Sequence, residues 1–361
     1  MDKIKILVFG FTNNIGGVEN YYMNYYRRFD FSKFEIDFLT TANDMAYKEE
    51  VSKRGKVFVA PNFKRNPFKY YSFVNKVIKK NKYDIVHINM LSCANIIPFS
   101  VSKKNKVKSI IAHSHNAFIP KGIIRKILNF INKRKVIRYS TKLLACSNKA
   151  GKWMFGDKSH FEVIPNQIDY EKYKYNPSIS ESIKEKLKIE KDCFVIGHIG
   201  RFSEQKNHDF ILALADKLRN ETNQKFKFIL IGTGERLSEI TQKIEKYNLK
   251  EYFNMTGMID NSNEYYNCFD IFILPSLFEG LPLVGIEAQF NGLKCFFSKE
   301  ITKEMDLGVN GQCCFLPLDL DLWSKEILSS MQEKERFICY DEKYDIKHNV
   351  LENLYCLLQQ K

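Results

Sequence analysis

Two glutamates, Glu279 and Glu287, stand eight positions apart in "LPSLFEGLPLVGIEAQFNG", residues 274–292. Gly280, Leu281 and Pro282 follow the first directly, and the second falls inside a predicted helix. Carboxylates accept hydrogen bonds from hydroxyls, so the natural partners of such a pair are the diols of a sugar and a ribose. Pro282 suits the first turn of a helix, where a missing N–H is no loss, and Gly292 suits its end. Leu283 and Val284 then present free backbone N–H groups, and a helix N-terminus favours an anion. The stretch predicts an acid for a sugar, a helix start for phosphate and an acid for ribose. The competing reading is a glutamate favoured by the helix dipole and an ordinary helix-interior glutamate.

Three more loops carry candidate chemistry. In "HIGRFSEQKNHDF", Gly200 ends an apolar run, Arg201 and Lys206 flank a short loop, and a helix is predicted from about Asn207. Arginine forks to two phosphate oxygens and lysine supplies a mobile charge; together they suit a diphosphate, or else they are a surface charge pair. Gly16 and Gly17 in "NNIGGVEN" allow close backbone approach to a ligand ahead of a helix. They lack the spacing of a dinucleotide fingerprint, and a strand-to-helix turn often needs glycine anyway. Gly232 and Gly234 in "LIGTGE" allow approach to a base or ribose, or form a simple turn.

Short apolar runs position these loops. "KIKILVFG", "FEIDFLT", "KVFVAP", "YDIVHIN", "KSIIAHSHN" and "TKLLACS" read as strands separated by helical stretches such as "NPFKYYSFVNKVIKKN". After "EVIPNQID" and a polar run to about Lys191 the pattern restarts with "CFVIGHIG", "KFKFILIGTG", "YFNMTG", "FDIFILP" and "LKCFFS". Alternation of this kind indicates an α/β protein with parallel sheets. Two series of similar size predict two Rossmann-like, doubly wound domains, at 1–172 and 173–345, with 346–361 as a helix returning to the first. Ligands of such sheets sit at the carboxyl ends of the strands, where all four loops lie.

Composition narrows the partners. Residues 1–175 hold 33 Lys and Arg against 13 Asp and Glu, whereas the remainder holds 23 against 29. A basic half implies an anionic partner or a solvated basic surface. The interleaving of aromatic and basic residues typical of nucleic-acid modules is absent. No apolar stretch approaches the roughly 20 residues that span a bilayer, and "IKILVFG" is too short for a signal peptide core. The nine cysteines form no C-x-x-C pair, which suits a reducing cytoplasm and argues against a zinc site or disulfide framework.

In combination, "IPNQID", "GRFSEQKN", "GTGE" and "TGMIDNSNEYYNCFDIFILPSLFEGLPLVGIEAQFNG" resemble the retaining glycosyltransferases of family 4, whose hallmark is the E-x7-E element. The resemblance covers most of the chain. "AHSHN" and "ACSNKAGKWMFG" are similar to the branch that builds bacterial capsular polysaccharide and exopolysaccharide. It implies the GT-B architecture, two Rossmann-like domains with the active site in a cleft. It also implies sugar transfer from a nucleotide donor to a hydroxyl with retained configuration, with no bound metal or cofactor beyond the donor substrate. UDP is the implied nucleotide, and the acceptor is a glycan or a polyprenyl-diphosphate-linked glycan. Arg201 and Lys206 match the diphosphate grip, Glu287 the ribose contact and Glu279 the donor-sugar contact. Gly17, with Gly16, matches the loop over the phosphates. Gly200, Gly232, Gly234, Met258, Gly280, Leu281, Pro282, Leu283 and Val284 fall among the substrate-binding positions. His115 is the better match to the family's active-site histidine, since "HN" parallels the usual His-Asp or His-Gly, and the doubled histidine leaves His113 open.

Two enzyme and binding alternatives share these features: a GT-B sugar-nucleotide epimerase and a non-catalytic nucleotide-sugar-binding partner. Segment 121–138, "KGIIRKILNFINKRKVIR", carries seven Lys and Arg and no acid. Ile123, Ile124, Ile127, Leu128 and Ile131 share a helical face. This predicts either an interfacial helix on an anionic membrane surface, and so a peripheral association at the inner face of the cell membrane, or an amphipathic helix packed on the sheet. Nothing in these residues sets an oligomeric state.

Overall fold

The computed structural model describes residues 3–115, 122–332, 335–347 and 349–359. The chain divides into two compact units, Met1–Gln167 with Ile346–Lys361, and Ile168–Asp345. The division falls a few residues before the boundary at 172 read from the sequence. Ile168 leaves the first unit and bridges to Asp345, its N–H donating to the carbonyl of Tyr344, so the outgoing and returning segments lie side by side.

Unit 1 runs β1 (Ile4–Phe9), α1 (Gly17–Tyr26), β2 (Phe34–Thr40), α2 (Lys48–Ser52), β3 (Val57–Val59), α3 (Pro67–Asn81), β4 (Ile85–Met90), α4 (Ile97–Lys104), β5 (Ser109–Ser114), α5 (Ile123–Tyr139), β6 (Lys142–Ala145), α6 (Asn148–Phe155) and β7 (Glu162–Val163). Unit 2 runs α7 (Pro177–Lys186), β8 (Phe194–Ile199), α8 (His208–Glu221), β9 (Phe226–Ile231), α9 (Leu237–Lys246), β10 (Phe253–Gly257), α10 (Ser262–Tyr265), β11 (Ile271–Leu274), α11 (Leu283–Phe290), β12 (Lys294–Ser298), β13 (Cys313–Leu316) and α12 (Leu320–Gln332). The last helix, α13 (Val350–Gln359), belongs to unit 1.

Both sheets are parallel, in the orders β3-β2-β1-β4-β5-β6-β7 and β10-β9-β8-β11-β12-β13. Their central strands are mostly apolar because helices cover both faces, with His87, Asn89, His113 and His198 among their buried polar positions. On one face of the first sheet, Tyr21, Tyr22, Tyr25 and Tyr26 of α1 pack with Leu351, Leu354 and Tyr355 of α13. On the other, α3, α4, α5 and α6 lie over Leu7, Val86, Ile88 and Ile110. Strand order reverses between β1 and β4 and between β8 and β11. Connections leave in opposite directions there, opening the crevice where ligands of such sheets bind.

Several elements depart from the sequence reading. The polar run expected to be a boundary contains α7, which Asn176 caps by accepting from the N–H groups of Ser178 and Ile179. β7 is a two-residue edge strand inside "EVIPNQID", and β13 has no counterpart among the strands expected above. Pro282 sits one position earlier than expected, at the N-cap of α11 rather than in its first turn. Gly292 ends that helix with φ +83°, and an added Cβ there would fall 2.4 Å from the carbonyl oxygen of Phe337. Asn116, Lys121, His348, Gln360 and Lys361, which belong to stretches read above, lie outside the described residues.

Candidate active site

In unit 2 the candidate residues gather at the carboxyl ends of β8, β9 and β11. Gly200 directly follows β8, and an added Cβ there would lie 3.0 Å from Cε of Lys206. Glycine thus lets the lysine stem cross the strand end. Lys206 ends a short turn, Glu204–Lys206, and Asn207 adopts a left-handed conformation (φ 55°) before α8. Asparagine tolerates that conformation, and its side chain donates to the carbonyl of Pro275 at 3.1 Å. The Leu277 N–H donates to the carbonyl of Gln205 at 2.8 Å, and the Gln205 amide donates to the carbonyl of Phe278 at 2.9 Å. The β8 and β11 loops are laced together by these bonds.

Within this lacing the Lys206 ammonium meets Glu279 Oε1 at 2.7 Å, with side chains only 14% and 9% exposed. Gln205 Nε2 donates to Glu279 Oε2 at 3.0 Å. The cation expected for phosphate and the acid expected for sugar are therefore partners, a coupling that the spacing alone did not indicate. Arg201 turns toward the β9 loop, where Nε donates to Glu235 Oε2 at 3.0 Å, and both side chains are exposed. Leu283 and Val284 occupy the first turn of α11, whose N-cap provides no side-chain cap. Their amides lack an intrahelical acceptor and remain available to an anion. Gly280 lies at a bend and Leu281 is half-buried in the same loop.

Glu287 sits in the second turn of α11 and is half-buried. The Tyr266 hydroxyl donates to its Oε2 at 2.7 Å. Burial raises the carboxyl above its usual range, while hydrogen bonds from Tyr266 and Tyr173 oppose the shift. Neither tyrosine stands out in the sequence; the "EYYN" run before β11 was the available signal for Tyr266, and Tyr173 had none. Met258 follows β10 directly and is exposed.

The glycines divide into two kinds. Gly232 holds φ +139°, and an added Cβ would fall 2.1 Å from the carbonyl oxygen of Gly200. At Gly234 the Cβ would fall 2.4 Å from the Phe202 carbonyl oxygen. These two are demanded by the close packing of the β8 and β9 loops, so the turn reading accounts for them. Gly16 is the extended N-cap of α1, where an added Cβ would lie 3.0 Å from Glu19 Oε2. At Gly17 an added Cβ meets nothing within 4 Å among the described residues, and their packing gives no reason for a glycine.

In unit 1 the histidines of β4 and β5 form a buried relay. His87 Nε2 lies 3.0 Å from His113 Nδ1, and His87 Nδ1 lies 2.5 Å from the Tyr355 hydroxyl of α13. That hydroxyl lies 3.1 Å from the one on Tyr22. His113 is fully buried, and among the described residues its Nε2 meets no hydrogen-bond partner. His115 follows β5 and stays partly exposed, with the rings of Tyr21 and His113 against it at 4.8 and 4.3 Å. Its Nε2 lies 2.8 Å from Asn89 Oδ1, while Asn89 Nδ2 donates to the Phe9 carbonyl at 3.1 Å. That second bond fixes the amide orientation, so His115 donates through Nε2 and carries its lone pair on Nδ1. Burial lowers His87 and His115 to about 3 and holds His113 well below its usual value, so all three are neutral near pH 7.

Comparison with known proteins bears on both units. Residues 15–172 match "Glycosyltransferase Family 4", and residues 179–350 match "Glycosyl transferases group 1". A putative glycosyltransferase of Bacillus subtilis, EpsF, is 33% identical over 368 residues, 96% of this chain and 95% of that one. An Escherichia coli UDP-Gal:alpha-D-GlcNAc-diphosphoundecaprenol alpha-1,3-galactosyltransferase is 26% identical over 88% of this chain and 83% of its own. Among solved structures, HepE of Anabaena in complex with UDP superposes with a TM-score of 0.77 at 18% identity, covering 99% of both chains.

Proposed function

The chain belongs to the family 4 glycosyltransferases, and from that premise we propose that it moves a hexosyl unit from a UDP-sugar to a hydroxyl of a glycan or a polyprenyl-diphosphate-linked glycan, retaining configuration without a metal ion. The relatives support this choice: the E. coli enzyme is named for a UDP-galactose donor and a diphosphoundecaprenol-linked acceptor, and a capsular polysaccharide biosynthesis glycosyltransferase of Staphylococcus aureus is also similar. All of these carry transferase names, which leaves the epimerase reading unsupported. Among the described residues no cluster of His, Cys, Asp and Glu is placed to hold a metal.

The observation that carries the reading is the enclosed Lys206–Glu279 pair beside the uncapped start of α11. An ion pair this enclosed is expensive to desolvate, and a site that holds both charges next to free amides suits a diphosphate and its sugar. Lys206, Arg201 and the amides of Leu283 and Val284 take the donor diphosphate. Glu287 takes the ribose hydroxyls, held by Tyr266, and Glu279 takes the donor sugar. In unit 1, His115 accepts a hydrogen bond from a substrate hydroxyl at Nδ1.

In the chemical step the bond between the anomeric carbon and the β-phosphate oxygen breaks, and both electrons leave on the phosphate. The acceptor oxygen bonds to the same face of the sugar, and its proton passes to the departing phosphate oxygen. No carboxylate serves as a covalent nucleophile. Positive groups already in place where charge develops contribute most of the rate enhancement in such catalysis. Incubation with UDP-hexoses and a polyprenyl-diphosphate glycan, with and without EDTA, tests this. An α-linked product should form from an α-linked donor at equal rates in both conditions. An inverted product, or loss of turnover with EDTA restored by a divalent ion, contradicts it.

A lipid-anchored acceptor fits a reaction on the cytoplasmic side, at the inner face of the membrane. Among the described residues no helix is long and apolar enough to cross a bilayer.

A further inference from the structure

Among the described residues, helix α5 is attached to unit 1 along one side. Asn129 accepts from the N–H of Cys93 at 2.7 Å, Asn132 donates to the carbonyl of Ala94 at 3.3 Å, and Val136 is fully buried. At about 100° per residue, these three positions define the inward side. Ile124, Ile127 and Ile131 fall on the outward side, with Ile127 nearly opposite. Ile123 is 77% exposed and Ile124 76%, and Ile127, Phe130 and Ile131 are exposed as well. The alternative that this apolar face packs on the sheet is therefore excluded.

The outward side changes character along its length. Its first half is apolar, and its second half carries Arg134, Lys135 and Arg138, all exposed. A second exposed aromatic, Phe68 at 86%, lies in the first turn of α3 between Lys64, Arg65 and Lys69. α3 packs on α4 and α4 on α5, so the starts of α3 and α5 share the carboxyl edge of the unit 1 sheet. Between them opens a pocket of about 340 Å³, lined by Phe63, Lys64, Asn89, Leu91, Asn95 and Arg125 among others. Lys64 comes from the α3 side and Arg125 from α5.

We propose that this edge is a docking face for an anionic lipid leaflet: the isoleucines of α5 and Phe68 enter the interface, and the surrounding lysines and arginines meet the lipid phosphates. Apolar residues flanked by cations are what interfacial binding requires. A second copy of the chain is a poorer occupant, because its matching face would bring like charges together. Each basic residue near an anionic leaflet raises partitioning about fivefold. The pocket between the two apolar patches then opens toward the headgroup layer, with Lys64 and Arg125 at its mouth. This rests on the lipid-linked acceptor proposed above.

Co-sedimentation of the full chain with phosphatidylglycerol or phosphatidylcholine vesicles at low salt tests it. The wild type should partition at least tenfold better onto anionic vesicles. The variant Ile124→Glu/Ile127→Glu/Ile131→Glu, and separately Phe68→Glu, should lose most of that binding. Melting shifts with UDP-hexose are read on the same samples. Shifts retained with vesicle binding lost in the variants support the docking face. Equal binding by wild type and variants, binding to neither vesicle, or a dimer in solution that only the variants break overturns it. Loss of the UDP-hexose shift in the wild type overturns the donor reading instead.

Discussion

At the residue scale, Lys206 and Glu279 have to be considered together. Lys206→Ala and Arg201→Ala should each reduce kcat/KM by about 10²–10³, or about 2.7–4 kcal/mol, the scale of one preorganised donor to developing charge. The two differ in stability. Arg201 pairs with Glu235 at the surface, where an ion pair contributes about 0–1 kcal/mol, so its loss should leave urea midpoints nearly unchanged. Lys206→Ala leaves Glu279 enclosed without its cation and should destabilise the fold by a few kcal/mol. Adding Glu279→Ala should recover much of that stability and none of the turnover. Recovery of both would mean that the pair is structural. Tyr266→Phe removes the hydroxyl that holds Glu287 and should weaken UDP binding about fivefold, the worth of about one hydrogen bond, as read by calorimetry.

The elements separate glycines required by the fold from glycines free for a ligand. Gly232→Ala forces a Cβ at φ +139° against the Gly200 carbonyl, and should cost about 1–3 kcal/mol. Gly17→Ala meets open space, so its melting temperature should hold while substrate affinity falls; a drop in both variants alike would erase the distinction. Much of this frame was legible in the sequence, because buried parallel strands read as apolar runs and their loops hold the unusual residues. "FEIDFLT" coincides with β2. What escaped had weak local signals. α7 begins with Asn-Pro but carries a mostly polar surface, with Ile183 among its few buried residues. β7 is too short for alternation to register, and β13 is a four-residue edge strand whose residues are all only partly buried. The site was legible as residue types, but its pairings were not. The Lys206–Glu279 contact spans a sequence separation that only the β8–β11 neighbourhood brings together.

Across the molecule, unit 1 depends on a helix from the far end of the chain. Leu351, Leu354 and Tyr355 are buried, each worth about 1.5–3 kcal/mol where the side chain is fully apolar, and Tyr355 also reaches His87. Removing residues 350–361 should therefore unfold unit 1, seen as a lost transition in calorimetry. The neutral histidines of β4 and β5 add a pH dependence. The folded values of His87 and His115, about 3, lie below the unfolded value near 6.5. Between those limits the unfolded chain binds more protons. Stability is thus full above about pH 6.5 and falls with decreasing pH toward 3, by about 1.4 kcal/mol per pH unit for each histidine. Urea midpoints between pH 7.5 and 5 should show the fall, and a flat profile would place charged histidines inside the core.

The most direct test of the central claim is the melting curve with UDP-hexose in the wild type and in Lys206→Ala and Glu287→Ala. At a hundredfold excess over the dissociation constant, the wild type should gain about 2.7 kcal/mol, and both variants should lose most of that gain at the same concentration. No gain with any nucleotide sugar, or an undiminished gain in both variants, would contradict the assignment of the diphosphate and ribose contacts to these residues.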